Sequence, residues 1–268
     1  MCLILVAVDA HPNYRVVIAA NRDEFYDRPA APASFWPEAS KLLAGRDLRA
    51  GGTWLGVTRT GRMAALTAYR DPEVNRAAAP SRGILVSGFL LGREEPVHYL
   101  EQISANAHRY NGFNLIVGRD GKFHYYSNRA SGIRELGPGI HGLSNHLLDT
   151  PWPKVEKGRQ ALHALLTGES ICPEDLFHFL LDRTDVPDEC LPETGVGLQM
   201  ERMLSPVFIS SPGYGTRAST VILLDRTGRV TFIERSFQNG SEDSSAVEHS
   251  FMLEADPLSE IQAKIFEI

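Results

Sequence analysis

Cysteine is scarce in this chain. Cys2, Cys172 and Cys190 are the only three in 268 residues, too few and too scattered for a disulfide framework or a paired-cysteine zinc site. The expectation is a reducing, cytoplasmic setting. Surplus basic charge is missing as well. Lys and Arg number 27 against 33 Asp and Glu, a net charge of −6, which argues against nucleic-acid partners because no excess of cations exists to neutralise phosphates. There is no long apolar run. Leu3 to Val8 stops at Asp9 and has no basic segment before it, so it is too short for a signal peptide or a transmembrane segment. The glycines form no phosphate-loop or dinucleotide fingerprint. The histidines, among them His11, His141 and His146, show neither a haem-attachment motif nor zinc-ligand spacing, so no metal site is expected. No internal repeat is present. What the chain does have is 43% hydrophobic content, enough for a substantial core, expected as one domain over 1–268.

The N-terminus carries the strongest chemical signal. Cys2 follows the initiator Met directly, and Met1 is expected to be removed because the second residue is small. One residue then holds both a thiol and an α-amine, whose reference pKa near ~8 suits it to take the thiol proton. By position alone, Cys2 is equally a small apolar residue opening a buried strand. His11, Pro12 and Asn13 supply turn chemistry between the apolar runs Leu3 to Val8 and Arg15 to Ala20, which reads as a hairpin. That hairpin returns Asn21, Arg22, Asp23 and Glu24 to Cys2, where Arg22 can stabilise a thiolate.

Further along, Phe25 to Ala50 is rich in Pro and Ala without a sustained period and is expected to be an irregular loop. A second hairpin is expected to turn at Thr60 and Gly61, and a third at Asp120 and Gly121. Helical patterns run from a Ser81 cap to about Leu91, over Glu95 to Arg109, from Asp149-Thr150-Pro151 through Lys154 to Leu166, and over Pro173 to Leu181. Strands are expected at Val207 to Ser210, Ala218 to Asp225 and Val230 to Arg235, and the polar segment 238–247 is expected to be mobile. Hairpins at both ends with helices between them point to an α+β fold of antiparallel sheets packed on helices.

Several stretches together resemble a known family. Asn21-Arg22-Asp23-Glu24 stands intact, with Met1-Cys2, Gly51 to Gly56, Ser81-Arg82-Gly83, Tyr110 to Asn114, Gly142 to Asn145 leading into Asp149, Pro151 and Trp152, and Tyr214 to Arg217 before Thr220 to Asp225. In this order they resemble the NRDE proteins, the transport and Golgi organisation 2 family, over nearly the full length. That family is similar to N-terminal cysteine nucleophile hydrolases of the bile-salt hydrolase and penicillin V acylase kind. The resemblance implies a four-layered αββα sandwich and suggests hydrolysis of an amide bond.

Carried over by motif, Cys2 matches the nucleophile, and Arg22 and Asp23 match an Arg and an Asp beside it. The hydrolases space that pair as Arg-x-x-Asp while here it is adjacent, so Asp23 and Glu24 both stand as the supporting carboxylate. Asn145 matches an oxyanion-hole Asn and Arg217 a late Arg near the nucleophile. Asn21, Glu24, Ala68, Tyr69 and Arg70 are expected to bind substrate, with Ala68 standing where the family usually has Asn. Two functions follow: a cysteine amidohydrolase acting on a non-peptide C–N bond of a small molecule, with no cofactor required, or a non-catalytic carrier with haem as cargo in the same cleft.

Overall fold

The run behind Cys2 is a strand, β1 (Cys2–Val8), paired antiparallel to β2 (Tyr14–Phe25). In the computed structural model, which describes residues 2–238, 240–241 and 244–255, these two strands lie in the middle of a sheet. β2 also pairs with the equally long β12 (Tyr214–Asp225), which continues into β13 (Arg229–Phe237) and β14 (Ser244–Met252). On the other side β1 pairs with β10 (Gly139–Leu143), and the two-residue β11 (Ser210–Ser211) adds to β12. The strand order is β10-β1-β2-β12-β13-β14. All of these pairings are antiparallel.

A second antiparallel sheet has the order β3-β4-β5-β6-β7-β8-β9. Its strands are β3 (Ala30–Trp36), β4 (Ala39–Asp47), β5 (Leu55–Thr58), β6 (Arg62–Ala68), β7 (Phe113–Arg119), β8 (Lys122–Ser127) and β9 (Arg134–Leu136). The helices are α1 (Gly83–Leu91), α2 (Pro96–Asn106), α3 (Pro153–Leu166), α4 (Pro173–Leu180) and α5 (Leu198–Leu204).

Side-chain alternation sorts these elements into layers. Along β1 and β2 the even-numbered Ile4, Val6, Ile18 and Ala20 join a core shared with Leu43, Val57 and Ile116 of the second sheet. The odd-numbered Leu3, Leu5, Val17 and Ala19 face Val155 and Leu162 of α3 and Phe177 of α4. On the outer face of the second sheet, Leu42, Ala64 and Leu115 pack on Leu85 and Phe89 of α1 and Leu100 of α2. The result is the four-layered αββα sandwich, with each fully buried Leu, Ile or Phe contributing about 1.5–3 kcal/mol.

Several expectations need correction. The strand expected over Val207 to Ser210 is realised only as the two-residue β11, and Arg82, not Ser81, stands at the N-cap of α1. The Pro- and Ala-rich stretch from Phe25 is not an irregular loop but contains the β3–β4 hairpin. β3 is an edge strand whose register shifts between Ala31 and Ser34, and an edge with a bulge tolerates the missing N–H of Pro32. In the segment 238–247, residues 239, 242 and 243 lie outside the described residues, and Ser244 onward is the ordered strand β14, paired with Phe237. Finally, α3 opens on Pro153, not Pro151, with Trp152 at its N-cap. The Asp149 carboxylate accepts a hydrogen bond from Gly142 N–H (2.8 Å) instead of capping the helix.

Candidate active site

The β1–β2 register sets Cys2 opposite Arg22, and directly paired residues of an antiparallel ladder point to the same face. Cys2 and Arg22 therefore share the face turned toward the second sheet. The Cys2 sulfur accepts a hydrogen bond from the backbone N–H of Asp23, burial pushes the thiol up, and the charge of Arg22 opposes that. Arg22 is 6% exposed and its guanidinium lies 4.1 Å from the Trp54 ring centroid, a cation–π contact that fixes the side chain.

Alternation then divides the tetrapeptide. Arg22 and Glu24 lie on the cleft side, where Glu24 stands 4.0 Å from Arg22 and 3.7 Å from Arg28. Asn21 and Asp23 lie on the helix side. The Asn21 amide donates to the carbonyls of Leu180 (2.8 Å) and Val207 (2.9 Å), and its oxygen accepts from Ser219 Oγ (2.6 Å). The side chain of Asn21, expected to bind substrate, is thus used within the protein: its amide ties the sheet to the carbonyls of Leu180 and Val207, and its oxygen ties β2 to β12. Asp23 is 2% exposed. Thr216 Oγ1 donates to its Oδ1 at 2.7 Å. Burial raises the Asp23 carboxyl, while Lys154, Thr216 and Arg22 pull it down. Between the two acids, Asp23 is the one whose backbone touches the thiol, and Glu24 is an arginine partner.

Asn145 is fully buried, and one of its amide hydrogens goes to Ala68 O (2.8 Å) while its own carbonyl accepts from Arg70 N–H (2.7 Å). Ser144 Oγ donates to Cys2 O at 3.1 Å, which brings the Asn145 turn against the N-terminal strand. Ala68, Tyr69 and Arg70 are therefore locked to this turn. Tyr69 lies 5.0 Å from the His146 ring, and Arg70 points into the protein, paired with Glu201 and 4.9 Å from the Trp152 centroid. Arg217 occupies the register shift between Thr216 and Ala218 of β12. Its Nη1 donates to the carbonyls of Phe25, Tyr26 and Arg28 at 2.9, 3.1 and 3.0 Å.

A cleft of about 820 Å³ opens between the sheets, bordered by Arg22, Trp54, Arg217 and Glu234 and walled by Ser236, Gln238 and Ser241. It ends at Arg22, and Cys2 itself stands one strand pair behind its lining. Four groups of this region went unnoticed in the sequence. Glu234 is 1% exposed, accepts from Ala33 N–H (2.7 Å), and burial pushes its carboxyl up to about 7. Lys154 is 4% exposed and burial pushes it down to about 8. Arg82 and Tyr214 both lie within electrostatic reach of Cys2. For the first two the clue was periodicity: Lys154 falls in line with Gly158, Leu162 and Leu166, and Glu234 falls in step with Val230 and Phe232 on the apolar face of β13. Arg82 and Tyr214 sit in the Ser-Arg-Gly and Tyr-Gly-Thr-Arg stretches, which were the available clue. Among the described residues no cluster of His, Cys, Asp and Glu is arranged to hold a metal.

A family model described as Transport and Golgi organisation 2 matches residues 1–239. The chain belongs to that family. Within the transport and Golgi organisation 2 family, it is similar to the Transport and Golgi organization protein 2 homolog of Bos taurus, 40% identical over 280 residues and covering 95% of this chain and 100% of that protein. The Homo sapiens homolog is 40% identical over 261 residues, covering 89% and 94%. Transport and Golgi organization protein 2 of Drosophila melanogaster is 28% identical over 268 residues, covering 88% and 92%. Among solved structures, the C2A mutant of conjugated bile acid hydrolase from Clostridium perfringens is similar with a TM-score of 0.52 at 9% identity, over 96% of this chain and 97% of that one. Family member and hydrolase thus share the N-terminal nucleophile hydrolase fold. No helix of the described residues is long and apolar enough to cross a membrane.

Proposed function

We propose that this chain is an N-terminal cysteine amidohydrolase acting on a non-peptide amide of a polar small molecule. The observation that carries the reading is the register: Cys2 faces Arg22 at the end of a cleft, with an Asp23 N–H donated to its sulfur. Once Met1 is removed, the α-amine of Cys2 takes the thiol proton and the sulfur attacks the amide carbon. The negative charge moves to the carbonyl oxygen, where the second amide hydrogen of Asn145 is the donor from this chain. Removing one such donor typically raises the barrier by about 2.7–4 kcal/mol. Collapse of the intermediate breaks the C–N bond, and the leaving nitrogen takes its proton back from the α-ammonium. Water then adds to the thioester with the α-amine as base, the C–S bond breaks, and the sulfur regains its proton. The cleft walls favour a polar substrate: Glu234, Ser236, Gln238 and Ser241 offer hydrogen bonds, and Arg22 favours a carboxylate.

The cleft volume, about 820 Å³, supports a second reading in which the same space carries haem as cargo. Wild type, Cys2→Ala and Asn145→Ala are incubated with a panel of acyl amides while haem is titrated in parallel. The hydrolase reading expects amine release by wild type alone, and Asn145→Ala to lower kcat more than it raises KM. Haem binding without hydrolysis of any amide selects the carrier instead.

A further inference from the structure

Lys154 is a cation in an unusual place. It lies in the first turn of α3 on the buried stripe of the helix, in line with Gly158, Leu162 and Leu166, where an apolar residue would be expected, and it is 4% exposed. Its ammonium makes no hydrogen bond to any described residue. An unpaired buried ammonium costs several kcal/mol unless opposite charge faces it. The groups that face it come from four elements: Asp23 on β2, Cys2 on β1, Arg70 just after β6, and Glu201 on α5. Glu201 is already committed to the Arg70 guanidinium and to Thr194, whose N–H donates to it at 2.9 Å. The carboxylate left for Lys154 is Asp23, which Thr216 and Tyr214 approach from β12.

The space beside Lys154 indicates what kind of role it has. The cavity lined by Lys154, Arg70, Trp152, Glu201 and Leu204 measures about 10 Å³, room for about one water molecule and too small for a substrate group. Lys154 thus acts through protein charges and not on a ligand. The sheet's alternation puts Asp23 on the same face as α3, on the side of β2 opposite the cleft. From there the Asp23 carboxylate lies within electrostatic reach of Cys2, while Arg22 faces the Cys2 side chain across the β1–β2 pair.

We propose that Lys154 is a positioning residue of the Cys2 centre, a buried counter-charge that keeps Asp23 ionised so that its carboxylate orients the α-amine of Cys2. This rests on the amidohydrolase reading for its purpose, but not for its test. Below about pH 8 the lysine is charged, and that charge favours the anionic form of the Asp23 carboxyl against the burial that raises it. Without it, only the N-terminal amine, Thr216 and Arg22 are left to oppose the burial that raises the Asp23 carboxyl.

The test is carboxyl carbon-13 NMR of aspartate-labelled protein, with Asp23→Asn assigning the resonance and intact mass reporting the state of Met1. In Lys154→Met the Asp23 midpoint is expected to rise by about 1–3 pH units, the effect of losing one adjacent opposite charge. Lys154→Arg, which keeps the charge, should restore most of that shift. A purely structural lysine would loosen packing and leave the midpoint where it is. By reciprocity, Asp23→Asn should lower the midpoint of the Lys154 ε-carbon resonance by a similar 1–3 units or so, a measurement that stands if Lys154→Met does not fold. Unchanged midpoints overturn the proposal. No substrate enters the titration, so a failed amide panel and a failed coupling are separate results.

Discussion

Replacing Thr216 by Val tests how Asp23 is held. Thr216 is fully buried, and its hydroxyl does two things at once: it donates to Asp23 Oδ1 at 2.7 Å and accepts from Ile209 N–H at 2.9 Å. Valine keeps the shape and removes both bonds. A hydrogen bond to a charged group contributes about 1.5–3 kcal/mol, and the orphaned Ile209 N–H costs a further 1–3 kcal/mol or so. The expected loss is therefore about 2.5–6 kcal/mol. Thr216→Ser keeps the hydroxyl and gives up one methyl, about 1 kcal/mol. Urea denaturation at pH 7 measures both, with the midpoint falling and the slope unchanged. The valine deficit should shrink as the pH falls and Asp23 protonates, because the charge-assisted part exists only with the carboxylate. If valine and serine variants fall within about 1 kcal/mol of each other, the hydroxyl is not what holds Asp23.

Asn21→Ala should cost about 2–4 kcal/mol by urea denaturation, since two of its bonds hold the carbonyls of Leu180 and Val207 and the third joins β2 to β12. Glu234, with its carboxyl raised from 4.5 to about 7, binds more protons folded than unfolded between those values. Wild-type stability should therefore fall as pH rises through that window, a slope absent in Glu234→Gln by pH-dependent denaturation. Asp149 donates no proton but accepts one in its bond with His141 (3.1 Å), raising the histidine and lowering the aspartate. The aspartate's contribution is present above its unfolded value of 3.8 and lost as pH falls through its folded one. The histidine's is full below its unfolded value of 6.5 and lost as pH rises through its folded one. His141→Gln should therefore be most damaging between those two unfolded values, and the deficit should fade toward high pH in the same denaturation series.

The hairpin that presents Cys2 was legible because two apolar runs flank a His-Pro-Asn turn, and the strand-end return of Arg22 to Cys2 followed from it. The layers came from the resemblance, since hairpins and helices fit other α+β layouts equally well. Period-two alternation within Asn21-Arg22-Asp23-Glu24 was readable in principle, and it separates Asn21 from the cleft. It needed the knowledge that both faces of β2 are covered, which makes a polar residue on either face a structural or chemical commitment. The β3–β4 hairpin hid behind its prolines. Lys154 and Glu234 fall on the apolar stripes of α3 and β13, which was readable; what the sequence could not supply is the distant groups that face them, Asp23 and Glu201 for the lysine and Ala33 for the glutamate.

If Cys2 is an N-terminal nucleophile, intact-mass analysis will show it. Purified protein in which Cys172 and Cys190, both exposed, have been replaced by Ser is weighed before and after brief exposure to a reactive acyl amide. The expected result is a chain lacking Met1 that gains one acyl mass, with no gain in Cys2→Ala. Retained Met1, or an acyl adduct that persists in Cys2→Ala, contradicts it.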